Sequence, residues 1–124
     1  MSTILLIEDT SANRALAVKL LKAAGHRVIE APDGAAGIVE AQTRRPDLVL
    51  MDLSLPVVDG WEALRRLRAD SRTQDLRIVA LTAHAMAGAR DEALAAGFDG
   101  YMSKPIDALT FADTVSRFVR GGRR

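Results

Sequence analysis

Short apolar runs separated by amphipathic segments, each run closing on a polar residue, constrain this chain more than any other feature. ILLI at 4–7 is followed by Glu8-Asp9, LVLM at 48–51 by Asp52, IVAL at 78–81 by Thr82, and GYMS at 100–103 by Lys104. Short apolar runs bounded by turn signals read as buried strands. Strands that alternate with helices pair in parallel through right-handed crossovers. In such a sheet every carboxyl end lies along one edge, and the crevice beyond that edge is where open α/β sheets bind ligands. The four polar ends therefore converge on one place.

The pattern predicts a first strand over Thr3–Ile7 and a helix over Ser11–Ala24 with Leu16, Leu20 and Leu21 on one face, stopped by Gly25. A second strand follows at Arg27–Ala31. Pro32-Asp33-Gly34 then starts a helix that runs to about Arg44. The third strand, Asp47–Met51, is the most apolar, as expected for a sheet covered on both sides. After a loop with Pro56 and Gly60 comes a helix carrying Trp61, Leu64 and Leu67, then a strand at Arg77–Leu81. A helix over Ala87–Ala96 ends at Gly97, a short strand covers Gly100–Ser103, and the last helix spans Ala108–Val119. The fold class is α/β: a (βα)5 doubly wound, five-stranded parallel sheet with helices on both faces. Residues 1–120 are expected to form one domain and 121–124 a flexible tail.

Composition narrows the function. The chain has 124 residues and no cysteine, which excludes disulfides and thiolate chemistry. No apolar stretch approaches the roughly 20 residues that span a membrane. MSTILLIEDT has no charged leader ahead of an apolar run and a cleavage site, so a cytoplasmic location is expected. A net charge of +1 with scattered basic residues and few aromatics argues against direct nucleic-acid binding.

Three carboxylates at one sheet edge repel one another unless a cation compensates them. Mg²⁺ prefers one or two carboxylates together with waters and a phosphate. Asp9 and Asp52 suit direct ligation, Glu8 reaches through a water, and the backbone carbonyl of Ser54 can turn back towards the site. Alone, Glu8-Asp9 would do no more than favour the helix that begins near Ser11. Asp52 is also a candidate nucleophile, because a carboxylate can attack phosphorus to give an acyl phosphate. Lys104, held by Pro105 in an extended or turn conformation, supplies a fixed cation against the phosphoryl charge. Thr82 offers a hydroxyl to a phosphoryl oxygen. Taken singly, Lys104 reads as a solvated loop lysine and Thr82 as a strand residue chosen for packing.

Glu8-Asp9, LVLMDLSLPVVDG around Asp52, Leu81-Thr82-Ala83 and Tyr101-Met102-Ser103-Lys104-Pro105, in that order, closely resemble the receiver domain of two-component response regulators, the CheY-like superfamily. The resemblance covers essentially the whole chain. It implies Mg²⁺-dependent transfer (Mn²⁺ serving as a substitute) of a phosphoryl group onto Asp52 from a sensor histidine kinase or histidine phosphotransfer protein. It makes Thr82 and Tyr101 a switch pair, in which the hydroxyl moves towards the phosphoryl group and the ring fills the vacated space. It assigns Ser54 and His84 to tuning the lifetime of the phosphorylated form. Donor docking would fall on Ser11, Ala12, Arg14 and Ala15, beside Pro105 and Ile106. EDTSANR and LTAHAMAG are similar to stand-alone receivers of the DivK type and to receivers attached to hybrid kinases. A domain of this kind, without an attached output domain, signals through a downstream target protein or onward phosphotransfer, as a monomer or a phosphorylation-linked dimer. It acts as a phosphoacceptor that catalyses only its own phosphorylation and slow dephosphorylation.

Two other readings share parts of the pattern. A haloacid-dehalogenase-type phosphatase also uses an aspartyl nucleophile and Mg²⁺, but it needs a second aspartate where Ser54 stands. A flavodoxin-like binding module needs a glycine-containing phosphate loop after the first strand, and EDTSANR has two acids and no glycine.

Overall fold

The computed structural model describes residues 2–83, 88–104 and 106–121. Its ten elements follow one another as β1 (Thr3–Ile7), α1 (Ser11–Ala23), β2 (Arg27–Ala31), α2 (Gly34–Arg44), β3 (Leu48–Asp52), α3 (Gly60–Ala69), β4 (Ile78–Thr82), α4 (Ala89–Ala96), β5 (Gly100–Ser103) and α5 (Phe111–Gly121). The five strands form one parallel sheet in the order β2-β1-β3-β4-β5. Chain order reverses direction between β1 and β3, so the crevice at their carboxyl ends is the topological switch point.

Successive side chains of a strand point to opposite faces, and the core divides accordingly. Leu5, Ile7, Val49, Met51, Ile78 and Ala80 face one way and are covered by Ala41 of α2, by Ala63, Leu64 and Leu67 of α3, and by Ala93 of α4. Ile4, Leu6, Leu48, Leu50, Val79 and Leu81 face the other way, under Ala17 and Leu21 of α1 and Phe111 and Val115 of α5. Burying a leucine of this kind stabilises the fold by about 2 kcal/mol. Trp61 meets the edge of Phe98 at 5.7 Å between ring centroids, which closes the end of the α3 layer.

Several boundaries differ from the sequence expectation. β3 and β4 each sit one residue later than expected, because the polar residue that closes each run still pairs: Asp52 lies opposite Leu81 and Thr82 opposite Ser103. Both site residues are thus held by the sheet itself. The α5 helix begins at Phe111 rather than Ala108. Asp107 captures the intervening turn, its carboxylate accepting from the Leu109 N–H and its carbonyl from those of Thr110 and Phe111. The same helix extends to Gly121, one residue into the segment expected as a tail. Leu16 is 41% exposed; the inward residues of α1 are Ala17 and Leu21.

The β3–α3 connection is tightly built. Asp59 caps α3 by accepting from the Glu62 N–H at 2.8 Å. A Cβ on Gly60 would lie 2.6 Å from the Asp52 carbonyl oxygen and 2.8 Å from the Leu53 Cα, so only glycine fits there. The preceding turn is closed by a bond from the Val58 N–H to the Pro56 carbonyl at 2.7 Å, with Val57 between them at φ 64°. This is a γ-turn of the rare positive-φ kind. A β-branched residue is poorly suited to it, and Val57 is fully exposed, so no packing offsets the strain. Val57→Asn should stabilise the protein by about 1 kcal/mol, read as a raised midpoint in urea unfolding with an unchanged slope. An unchanged or lowered midpoint would show that the turn carries no such strain.

Candidate functional site

Four of the five strands deliver a polar end to the same crevice. β1 passes directly into Glu8 and Asp9, β3 ends on Asp52, β4 on Thr82, and the residue after β5 is Lys104. The Lys104 Nζ lies 2.7 Å from a Glu8 carboxylate oxygen and 2.9 Å from Asp52 Oδ2. The backbone N–H of Lys104 donates to the Thr82 carbonyl at 2.7 Å, which fixes the root of the side chain against β4. Glu8, Asp52 and Thr82 are buried, while Asp9 is exposed at the mouth. Carboxylate oxygens of Glu8, Asp9 and Asp52 come within 4.8 Å of one another. This is the acidic cluster expected from the sequence.

Two backbone donors complete the anchoring. The Ser54 N–H donates to Asp52 Oδ1 at 2.9 Å, and the Thr10 N–H to Glu8 Oε2 at 3.1 Å. Asp52 therefore has one oxygen on the Lys104 ammonium and the other on a main-chain amide. Neither amide was foreseen, since a backbone N–H leaves no mark in the sequence. For Ser54 the expectation concerned its carbonyl; the structure assigns a function to its amide. Glu8 was expected to act through water, yet its side chain is buried against Lys104.

Burial is the largest influence on both buried acids and pushes each carboxyl upward. In Asp52 it is outweighed by the hydrogen bond from Lys104, by the Ser54 amide and by the attraction of the ammonium, so its pKa falls below the ordinary value. In Glu8 burial prevails over the Lys104 and Thr10 bonds, helped by repulsion from Asp52, so its pKa is raised. Burial opposes the charge on Lys104 as well, but its bonds to Asp52 and Glu8 outweigh that and raise its pKa. The ionised state of Asp52 is thus built into the fold, and the chemistry of the donor set, hard oxygens only, suits Mg²⁺.

Tyr101 is half-buried against the layer formed by α2, α3 and α4, and its hydroxyl is buried without a hydrogen-bond partner among the described residues. Ser11, Ala12 and Ala15 are exposed on the first turns of α1. Arg14 is not presented with them: its guanidinium turns back to the Glu8 carbonyl and to Glu30. Half-buried Ile106 joins Asn13, Leu16, Ala83 and Lys104 around a cavity of about 430 Å³ beside the acidic cluster. His84 and Pro105 lie outside the described residues.

Removing the ammonium takes away the influences that lower both carboxyl pKa values, so both should rise in Lys104→Met. A carboxyl whose folded pKa lies above its unfolded value destabilises the fold once pH exceeds the folded pKa. Without divalent cations the variant should therefore lose about 3 kcal/mol at pH 7, and its deficit should shrink as pH falls through the raised carboxyl pKa values towards the ordinary carboxylate range of about 4. Urea unfolding across pH, with carboxyl NMR titration of Glu8 and Asp52, checks this; a deficit that grows towards acid pH would overturn it.

The chain matches the family model of the response regulator receiver domain over residues 4–116. It is 32% identical to the polar-differentiation response regulator DivK of Brucella anthropi over 117 residues, covering 94% of this chain and 95% of that protein. Among solved structures it resembles the receiver domain of the sensor histidine kinase PA1611 of Pseudomonas aeruginosa, which has a magnesium ion coordinated in its active site cleft. The two share 35% identity at a TM-score of 0.86, over 96% of this chain and 98% of that one. The chemotaxis response regulator CheY4 of Vibrio cholerae is 29% identical at a TM-score of 0.88, over 95% and 98% of the two chains. No helix among the described residues is long and apolar enough to cross a membrane. With its acidic cluster, its bridging lysine and its (βα)5 sheet, the chain belongs to the response regulator receiver domains, a family of signalling domains.

Proposed function

We propose that Asp52 is the phosphoacceptor, receiving a phosphoryl group from a phosphohistidine on a sensor histidine kinase or histidine phosphotransfer protein. The observation that carries this reading is the placing of Asp52: buried, and bridged to Glu8 through Lys104, whose ammonium helps hold its carboxyl below the ordinary carboxylate range. A carboxylate attacking a phosphoryl group meets charge repulsion, and phosphoryl transfer is accelerated chiefly by positioning and by neutralising that charge. Lys104 is already seated on Asp52 Oδ2, where it can follow the charge onto the phosphoryl oxygens. Thr82, at the end of the adjacent strand, offers its hydroxyl to the same group.

Glu8, Asp9 and Asp52 would hold Mg²⁺, with the Ser54 carbonyl as a further oxygen; Mn²⁺ has the same preference for such donors. When bound, the ion supplies positive charge to the transferring phosphoryl group. The rest falls to the chain: the Ser54 amide orients the Asp52 carboxylate, and the Lys104 main chain ties β5 to β4. Exposed small residues at Ser11, Ala12 and Ala15, near the cavity that Ile106 helps to line, leave room for a donor helix near the site, and Pro105 would dock the same partner.

Phosphorylation adds charge and strong acceptor oxygens. Movement of Thr82 towards them, followed by Tyr101, would reshape the surface of α4, β5 and α5 for a downstream protein, for onward phosphotransfer or for dimer formation. Support for the switch comes from the Tyr101 hydroxyl, which has no partner among the described residues to hold the ring in place. Ser54 and His84 would tune the approach of water and so set how long the modification lasts. The protein turns over no other substrate in this reading, and its site of action is the cytoplasm.

Incubation with acetyl phosphate and Mg²⁺ should label the parent protein and leave Asp52→Asn at background with its circular dichroism unchanged; undiminished labelling of the variant would refute the assignment. Once labelled, His84→Ala should lose its phosphoryl group at a rate differing from the parent's by at least about threefold, ~0.7 kcal/mol in barrier. Equal decay rates would remove His84 from the path of water.

A further inference from the structure

The geometry points to Arg14, with Glu30 as its anchor, as a positioning residue that holds the Glu8-Asp9 turn in place for metal binding. Arg14 Nη1 donates to the Glu8 carbonyl at 2.8 Å, and its Nε lies 3.3 Å from Glu30 Oε1 near the end of β2. The backbone N–H of Arg14 donates to the Thr10 carbonyl at 2.9 Å, so the residue contacts both ends of the turn that contains Asp9. Its side chain is 21% exposed, against 48% for Glu30. The guanidinium is turned into the molecule, although α1 begins on the surface.

Every polar group of Glu8 is thereby occupied. Its N–H donates to the Ala31 carbonyl at 3.1 Å, its carbonyl accepts from Arg14, one carboxylate oxygen meets Lys104 and the other the Thr10 amide. Asp9 is held differently. It is exposed, and among the described residues its carboxylate has no hydrogen-bond partner, so its place is set by the backbone between Glu8 and Thr10. Arg14 fastens that backbone from outside, as Lys104 fastens the Glu8 side chain from within. A half-exposed ion pair contributes little to stability, so the pair's effect falls on the turn more than on the fold. The planar fork of arginine serves a carbonyl and a carboxylate together; a lysine ammonium lacks that geometry.

This rests on reading Glu8, Asp9 and Asp52 as a Mg²⁺ site, and the experiment separates the two ideas. Losing Arg14 alone would also remove a positive charge near the acids, which by itself favours a cation. The informative variant is therefore Arg14→Met combined with Glu30→Gln, which leaves net charge unchanged. Its Mg²⁺ affinity by calorimetry should fall about tenfold, the usual effect of losing a group that orients metal ligands. In metal-free protein its Thr10 amide should exchange at least about tenfold faster, with core amides in β3 and β4 unaffected. Arg14→Lys, which keeps the charge and one donor, should fall between the parent and the double variant. Parental Mg²⁺ affinity in the double variant would overturn the proposal, and so would a uniform acceleration of all amides, which signals general destabilisation. Failure of the parent itself to bind Mg²⁺ would overturn the metal-site reading; Thr10 exchange at the parental rate would then overturn the positioning role as well.

Discussion

One ammonium group holds two buried carboxylates, and the arrangement of the whole crevice follows from it. Glu8 and Asp52 come from strands that are neighbours in the sheet, and two acids so placed repel each other in a poorly solvated setting. Lys104 reaches both from the end of β5, two strands away from β3, because its backbone is fastened to Thr82 on the strand between. The desolvation cost of three buried charges is several kcal/mol per ion. It is offset by their mutual attraction and by main-chain amides on the remaining oxygens. The two acids do not share the cost equally: Asp52, with Lys104 and the Ser54 amide, stays readily ionised, and Glu8 carries the strain.

The parallel sheet makes this possible at small cost in chain length. Residues 8, 52, 82 and 104 meet because each terminates a strand, and the order β2-β1-β3-β4-β5 puts β1 beside β3 at the point where connections diverge to opposite faces. The helices α1 and α5 cover one face, and α2, α3 and α4 the other. The carboxyl edge is left to carry the charged groups, although Leu55 and Val58 of the β3–α3 loop still pack into the core.

Most of this was legible from the chain because a polar residue after a wholly apolar run is conspicuous. Glu8-Asp9, Asp52 and Thr82 stand out on that ground, Lys104 stands just past the short run GYMS and ahead of Pro105, and the sheet brings them to one edge as expected. What the sequence concealed has three physical sources. Backbone donors such as the Ser54 and Thr10 amides belong to every residue and distinguish none. The inward turn of Arg14 depends on Glu30 lying on the neighbouring strand, a relation that exists only after β1 and β2 pair. The late start of α5 reflects the tight turn at Asp107, whose carbonyl takes the Thr110 amide three residues on as well as that of Phe111, a main-chain choice that leaves no mark in the sequence. Leu16 was misplaced by an apolar periodicity that also serves the surface cavity beside Lys104.

The glycine at the start of α3 has a spatial corollary. Because a Cβ on Gly60 would strike the Asp52 carbonyl and the Leu53 Cα, the start of α3 lies directly against the backbone at the end of β3. The cavity lined by Asn13, Leu16, Ala83, Lys104 and Ile106, by contrast, leaves open volume beside the same cluster. The crevice thus has a close-packed wall where α3 begins and free space next to the lysine.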